Sequence, residues 1–145
     1  MKNKVNTLQT IGVISMSDTT EYRVSLVRDL KNKVCVSVQV WWREDARQDW
    51  NPGKGFNLTH NMASNIVKHL RKSLDVSGEY MEYIQLSDSQ RYCIEKLIQK
   101  DLVVISKSWH KGDYNWVDGK SLALPTHNIP TLASMLDIAS KKQLA

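Results

Sequence analysis

The chain's five tryptophans all stand close to a cation in sequence. Trp41 and Trp42 run into Arg43, Trp50 precedes Gly53-Lys54, Trp109 lies between Lys107 and Lys111, and Trp116 precedes Gly119-Lys120. An indole face can stack on a nucleobase while a neighbouring ammonium or guanidinium neutralises a phosphate, and such stacking contributes ~1–3 kcal/mol per base. The pattern also occurs twice. Tyr22, Val36, Trp41, Arg43, Trp50, Gly53-Lys54 and Leu58 recur in order as Tyr92, Val104, Trp109, Lys111, Trp116, Gly119-Lys120 and Leu124, and each run ends in Thr-His-Asn. Tryptophan is rare, so its recurrence in register beside cations marks a duplicated unit, and with it a duplicated binding surface.

The elements that must position these side chains follow from periodicity. Residues 8–17 and 22–30 read as strands, and 34–40, with valine at every second position, is the clearest strand in the sequence. A polar loop at 44–51 leads into Pro52-Gly53-Lys54-Gly55, read as a turn before a short strand at 56–58. Thr59 or Asn61 can cap a helix whose apolar face holds Met62, Ala63, Ile66, Val67, Leu70 and Leu74, with Lys68, Arg71 and Lys72 opposite. The second repeat gives strands at 80–86, 92–98, 102–109 and 121–124, then a helix over 129–140 with Pro130 in its first turn. The expected class is α+β: two ββββα repeats, residues 1–76 and 77–145, each a curved antiparallel sheet backed by a helix.

Alternation along the third strand leaves two candidate platforms. Trp41 falls out of phase with the valines, on the side of Gln39 and Arg43, and is the expected exposed ring. Trp42 is in phase and is expected in the core. Lys107, Trp109 and Lys111 alternate on one strand face in the second repeat. Trp50 and Trp116 either contact bases or seal a loop. Lys54 and Lys120 are either ordinary turn residues or phosphate contacts, since a glycine turn lets backbone N–H groups approach an anion.

Charge and composition narrow the classes further. The net charge of +5 favours polyanionic partners, and it is uneven: residues 1–74 hold twelve Lys/Arg against six Asp/Glu, residues 75–145 eight against nine. Cys35 and Cys93 sit in apolar strands without a ligand-spaced partner and read as buried free thiols. No carboxylate pair, Cys-His arrangement, metal-ligand spacing or phosphate-binding loop motif appears, so no catalytic activity, metal or cofactor is expected. The polar amino terminus is unlike a signal peptide and no apolar run is of membrane-spanning length, so a cytosolic or nuclear location is expected.

The first repeat resembles the single-stranded-DNA-binding domain of the transcriptional coactivator family called positive cofactor 4, to which the Whirly-type folds are related. The resemblance rests on residues 23–30, the turn Lys31-Asn32-Lys33, the strand to Trp42, and residues 52–58. The second repeat keeps that skeleton more loosely, with His110 following Trp109 and Asp118-Gly119-Lys120-Ser121 for the glycine turn. The resemblance implies two such folds pairing into a dimer, here as an intramolecular pseudo-dimer or through a homo-oligomer. It also implies that Arg23, Arg28, Lys31 and Lys33, otherwise a solvated face, contact nucleic acid, and that Trp42 helps to hold it. The function expected is sequence-independent binding of single-stranded DNA, or of melted duplex, in replication, recombination or transcription alongside proteins of those pathways, with the first repeat supplying most of the affinity. RNA binding, or an adaptor role through protein contact, are the alternatives.

Overall fold

The computed structural model describes residues 6–110 and 115–142. Four strands, β1 (Asn6–Ser17), β2 (Thr20–Arg28), β3 (Val34–Trp42) and β4 (Asn51–Leu58), form an antiparallel sheet in sequence order, followed by helix α1 (His60–Asp75). The pattern repeats with β5 (Tyr80–Ser87), β6 (Gln90–Leu97), β7 (Leu102–Trp109) and β8 (Val117–Pro125), a 3-10 turn at Thr126–Asn128, and helix α2 (Ile129–Lys141). This is the α+β architecture of two ββββα repeats expected from the periodicity. The chain divides into two compact units, one of residues up to Ser64 with those from Ser134 on, the other Asn65–Ala133. The boundaries thus fall inside α1 and α2.

In the first unit, Tyr22 pairs with Val40, Val24 with Val38, and Leu26 with Val36, and Val38 and Val36 pair in turn with Phe56 and Leu58. Apart from the half-buried Val40 at the end of the row, these in-phase side chains are buried and form the core face of the sheet. At β1, Gly12 lets the Met135 thioether lie directly against the strand, where any Cβ would collide with it. Thr59 caps α1 by accepting the Met62 N–H at 3.0 Å on its hydroxyl. Lys68, Arg71 and Lys72 are exposed.

The second unit repeats the core with Ile84, Tyr92, Ile94, Val103, Ile105, Leu122 and Leu124. Lys96 donates its ammonium protons to the Ser73 and Val76 carbonyls, tying β6 to the end of α1. His69 Nδ1 lies 2.9 Å from the Tyr80 hydroxyl and makes a second tie to the same helix.

The strand pairing corrects the register of the sequence repeat. The partner of Tyr22 is Val40, eighteen residues on, whereas the partner of Tyr92 is Lys107, fifteen residues on. The second hairpin is therefore three residues shorter. Trp109 consequently takes the place of Trp42 rather than Trp41, Ser108 takes the place of Trp41, and Val103 that of Val36. Two hydrogen bonds fix the next position as well. The N–H of Arg43 donates to Thr19 O and that of His110 to Ser89 O, each at 3.0 Å. His110, not Lys111, is the counterpart of Arg43, and Lys111 lies outside the described residues.

Candidate nucleic-acid interface

The Gly-Lys pairs are not turns. Residues 52–55 belong to β4 and residues 118–121 to β8, and both strands bulge at the same place. Gln39 pairs with Gly55 but Trp41 with Pro52, so Gly53 and Lys54 stand opposite Val40 alone. Ser106 pairs with Ser121 but Ser108 with Asp118, so Gly119 and Lys120 stand opposite Lys107 alone. A bulge of this kind sets two residues against one and re-aims their side chains. Its glycine has a steric cause: a Cβ on Gly119 would lie 2.5 Å from Cζ3 of Trp109 and 2.8 Å from Lys107 O, and one on Gly53 would meet Val40 O at 3.0 Å.

Against these glycines lie the two most exposed indoles. Trp42 is 45 % exposed and Trp109 40 %. Both are in phase with the core residues of their strands, so alternation alone assigns Trp42 to the core. The core ends before it: Trp42 pairs with Thr20 and Asn51, polar positions at the sheet's end, and its ring is left open.

Trp41, expected to be the exposed ring, is half-buried beneath a cation. The Arg23 guanidinium lies 4.1 Å from its ring centroid and 5.9 Å from that of Trp50, while Arg43 lies 4.0 Å from Trp50. Arg23 donates Nε to Glu21 at 2.6 Å, and Arg43 donates Nε to Asp18 O at 2.8 Å. Gln39 on the same face donates to Gly53 O at 2.9 Å. The result is a ladder of tryptophan, arginine, tryptophan and arginine on the out-of-phase face.

The second unit builds the same ladder from other residues. Arg91 lies 3.7 Å from the Tyr83 centroid and 3.9 Å from that of Trp116, and His110 meets Trp116 edge-on at 4.5 Å. His110 Nε2 reaches Asp88 O at 2.9 Å, as Arg43 reaches Asp18 O. Trp50 and Trp116 are thus both half-buried and packed against basic side chains. Sequence reasoning missed Arg91 and Tyr83. The signal was parity: Arg23 follows Tyr22 and Arg91 precedes Tyr92, so both arginines point away from the core face.

The remaining cations are spread around these features. Lys31 and Lys33 are exposed in the β2–β3 turn, where their N–H groups donate to Asp29 Oδ1 at 2.9 Å each and hold that carboxyl below its ordinary range. Asn32 completes the turn at φ 66°, a left-handed conformation that asparagine tolerates. Arg28 donates to Asn32 O at 3.2 Å and serves the turn as much as the surface. Lys54 and Lys120 are exposed at the bulges. Lys107 is half-buried, and burial with the nearby Lys120 charge lowers its pKa.

Cys35 and Cys93 are buried free thiols whose pKa burial raises. Among the described residues no cluster of three His, Cys, Asp or Glu is placed to hold a metal, and no helix is long and apolar enough to cross a membrane. Compared with known proteins, the chain matches no family model and no curated protein sequence.

Proposed function

We propose that the protein binds single-stranded DNA without sequence preference, acting where strands are exposed in replication, recombination or transcription. The observation that carries this reading is the duplicated exposed tryptophan beside a Gly-Lys bulge, Trp42 with Lys54 and Trp109 with Lys120. An open indole offers a surface to any base, which duplex DNA hides, and the adjacent ammonium offsets phosphate charge without reading sequence. The guanidinium ladders give a second, rigid source of positive charge, since stacking on an indole limits the freedom of each arginine before a strand arrives. The resemblance of the first repeat to the positive cofactor 4 domain agrees with this reading, as do two unpaired thiols with a reducing cytosolic or nuclear compartment.

The test is fluorescence anisotropy with single-stranded, blunt duplex and bubble DNA, and with RNA of matched sequence, across a salt series. Tighter binding to single strands, a steep salt dependence and quenched tryptophan emission are expected. Equal affinity for blunt duplex, or salt-insensitive binding, refutes the reading, and preference for RNA replaces it with RNA binding.

A further inference from the structure

The two guanidinium ladders start from different positions of the repeat. Ile14 pairs with Tyr22 and Ile84 with Tyr92, which puts the two units in register. Arg91 then stands where the first unit has Glu21, and Tyr83 where it has Val13. The partners of the arginines differ accordingly. Arg23 donates Nε–H to the Glu21 carboxylate at 2.6 Å, so its charge is matched within the fold. Arg91 donates Nε–H to the Ser108 hydroxyl at 3.3 Å, a neutral acceptor on a buried residue. Among the described residues no carboxylate lies within ion-pair distance of Arg91, and Asp118, the carboxylate in its own row of the sheet, stands two strands away beyond Ser108. The guanidinium is nonetheless held in place, 3.7 Å from the Tyr83 ring centroid on β5 and 3.9 Å from that of Trp116 just before β8.

We propose that Arg91 and Tyr83 form a nucleotide subsite particular to the second unit, in which the guanidinium grips a phosphodiester and the phenol ring stacks on the attached base. This rests on the reading of the units as single-strand binders and adds a contact that the first unit, with Glu21 and Val13 in these places, does not make. Ser108 takes the Nε–H of Arg91, and the planar fork of terminal N–H groups matches two oxygens of a phosphodiester. One phosphodiester charge balances one guanidinium, where the fold of the first unit supplies a carboxylate instead. Contact with two rings fixes the side chain before the strand arrives, so little freedom is lost on binding. Tyr83 is 45 % exposed on β5, an edge strand of its sheet, where a base can reach the ring from outside the sheet. Because Arg91 already lies over that ring, the phosphate and base contacts fall on neighbouring parts of one nucleotide.

The experiment measures anisotropy of a labelled single-stranded oligonucleotide across a salt series, for the full chain and for Arg91→Gln, Arg91→Lys and Tyr83→Val. Arg91→Gln should flatten the slope of log K against log salt by ~0.7, the share of one single-strand phosphate. Arg91→Lys should keep the slope of the parent chain yet bind more weakly, because an ammonium retains the charge and lacks the fork. Tyr83→Val installs the residue type of the first unit at an exposed position, where circular dichroism should show an intact fold. It should weaken binding ~5-fold or more with the slope unchanged. Ultraviolet cross-linking of a strand carrying 5-iododeoxyuridine, read by peptide mass spectrometry, tests the contact on the unaltered chain, and Tyr83 should be among the cross-linked residues. The parent slope in Arg91→Gln, the parent affinity in Tyr83→Val, or cross-links confined to the tryptophans overturns the subsite and leaves single-strand binding intact. Failure of the parent chain itself to bind any single strand overturns the proposed function and the subsite with it.

Discussion

Leucine in place of each tryptophan of the β3 end, Trp42→Leu and Trp41→Leu, separates a ring that is free to stack from one that is already engaged. Trp42 is 45 % exposed, so only about half of its side chain is held by the protein. Leucine keeps most of that apolar packing, and the forfeited buried area costs ~1 kcal/mol at ~25 cal/mol per Å². The penalty on binding is of a different size: one base stack, ~1–3 kcal/mol, is a ~5- to 150-fold rise in Kd. For Trp41 the balance reverses. Its ring carries the Arg23 guanidinium at 4.1 Å, an interaction of ~0.5–2 kcal/mol, so the variant should lose stability first and affinity less. Thermal melting by circular dichroism and anisotropy with a labelled homopolymer strand measure both quantities on the same samples. Trp109→Leu should mirror Trp42→Leu with a smaller loss, because the first unit carries the larger share of positive charge. Unchanged affinity in Trp42→Leu, together with weakened binding in a still-folded Trp41→Leu, would refute the assignment of the open ring as the base platform.

Replacing Lys31 and Lys33 with Ala should flatten the slope of log K against log salt by ~0.7 for each single-strand phosphate no longer neutralised, with melting unchanged because both side chains are exposed. Gly119→Ala should destabilise by ~1–3 kcal/mol, since its Cβ would fall 2.5 Å from a rigid indole and 2.8 Å from a backbone carbonyl. Gly53→Ala, which meets Val40 Cγ1 at 2.9 Å and Trp42 Cδ1 at 3.5 Å, should cost less, and denaturant melts of the pair decide the order. Burial pushes the Tyr92 hydroxyl up to about 12. Its neutral form is the one the fold favours, so the contribution is fully present below the unfolded value of about 10 and disappears as pH rises from about 10 to about 12, a loss of up to ~3 kcal/mol. Urea melts between neutral and alkaline pH should show that step in the parent chain and not in Tyr92→Phe.

The elements were legible because the core alternates cleanly: valines at 34, 36, 38 and 40 and the spacing of Met62, Ile66 and Leu70 leave one strand and one helix face to bury. What governs the site was not, because it depends on counts that composition does not reveal. The lengths of the two hairpins differ by three residues, and an alignment that matches Trp41 to Trp109 is off by one at β7. In a strand a slip of one residue moves every side chain to the opposite face. That slip paired a packed ring with an open one and hid the equivalence of Arg43 with His110. Glycine beside lysine reads as a turn in isolation, yet here the same two residues are a bulge within a continuous strand, recognisable only when the partner strand is counted against it. Once the register is corrected, the two repeats prove alike in the features that cost stability, an exposed indole and a bulge glycine, and different in the residue opposite the bulge, valine in one and lysine in the other. Both of these residues are half-buried at the end of the core row, so the difference lies in charge rather than in how deeply the side chain is packed.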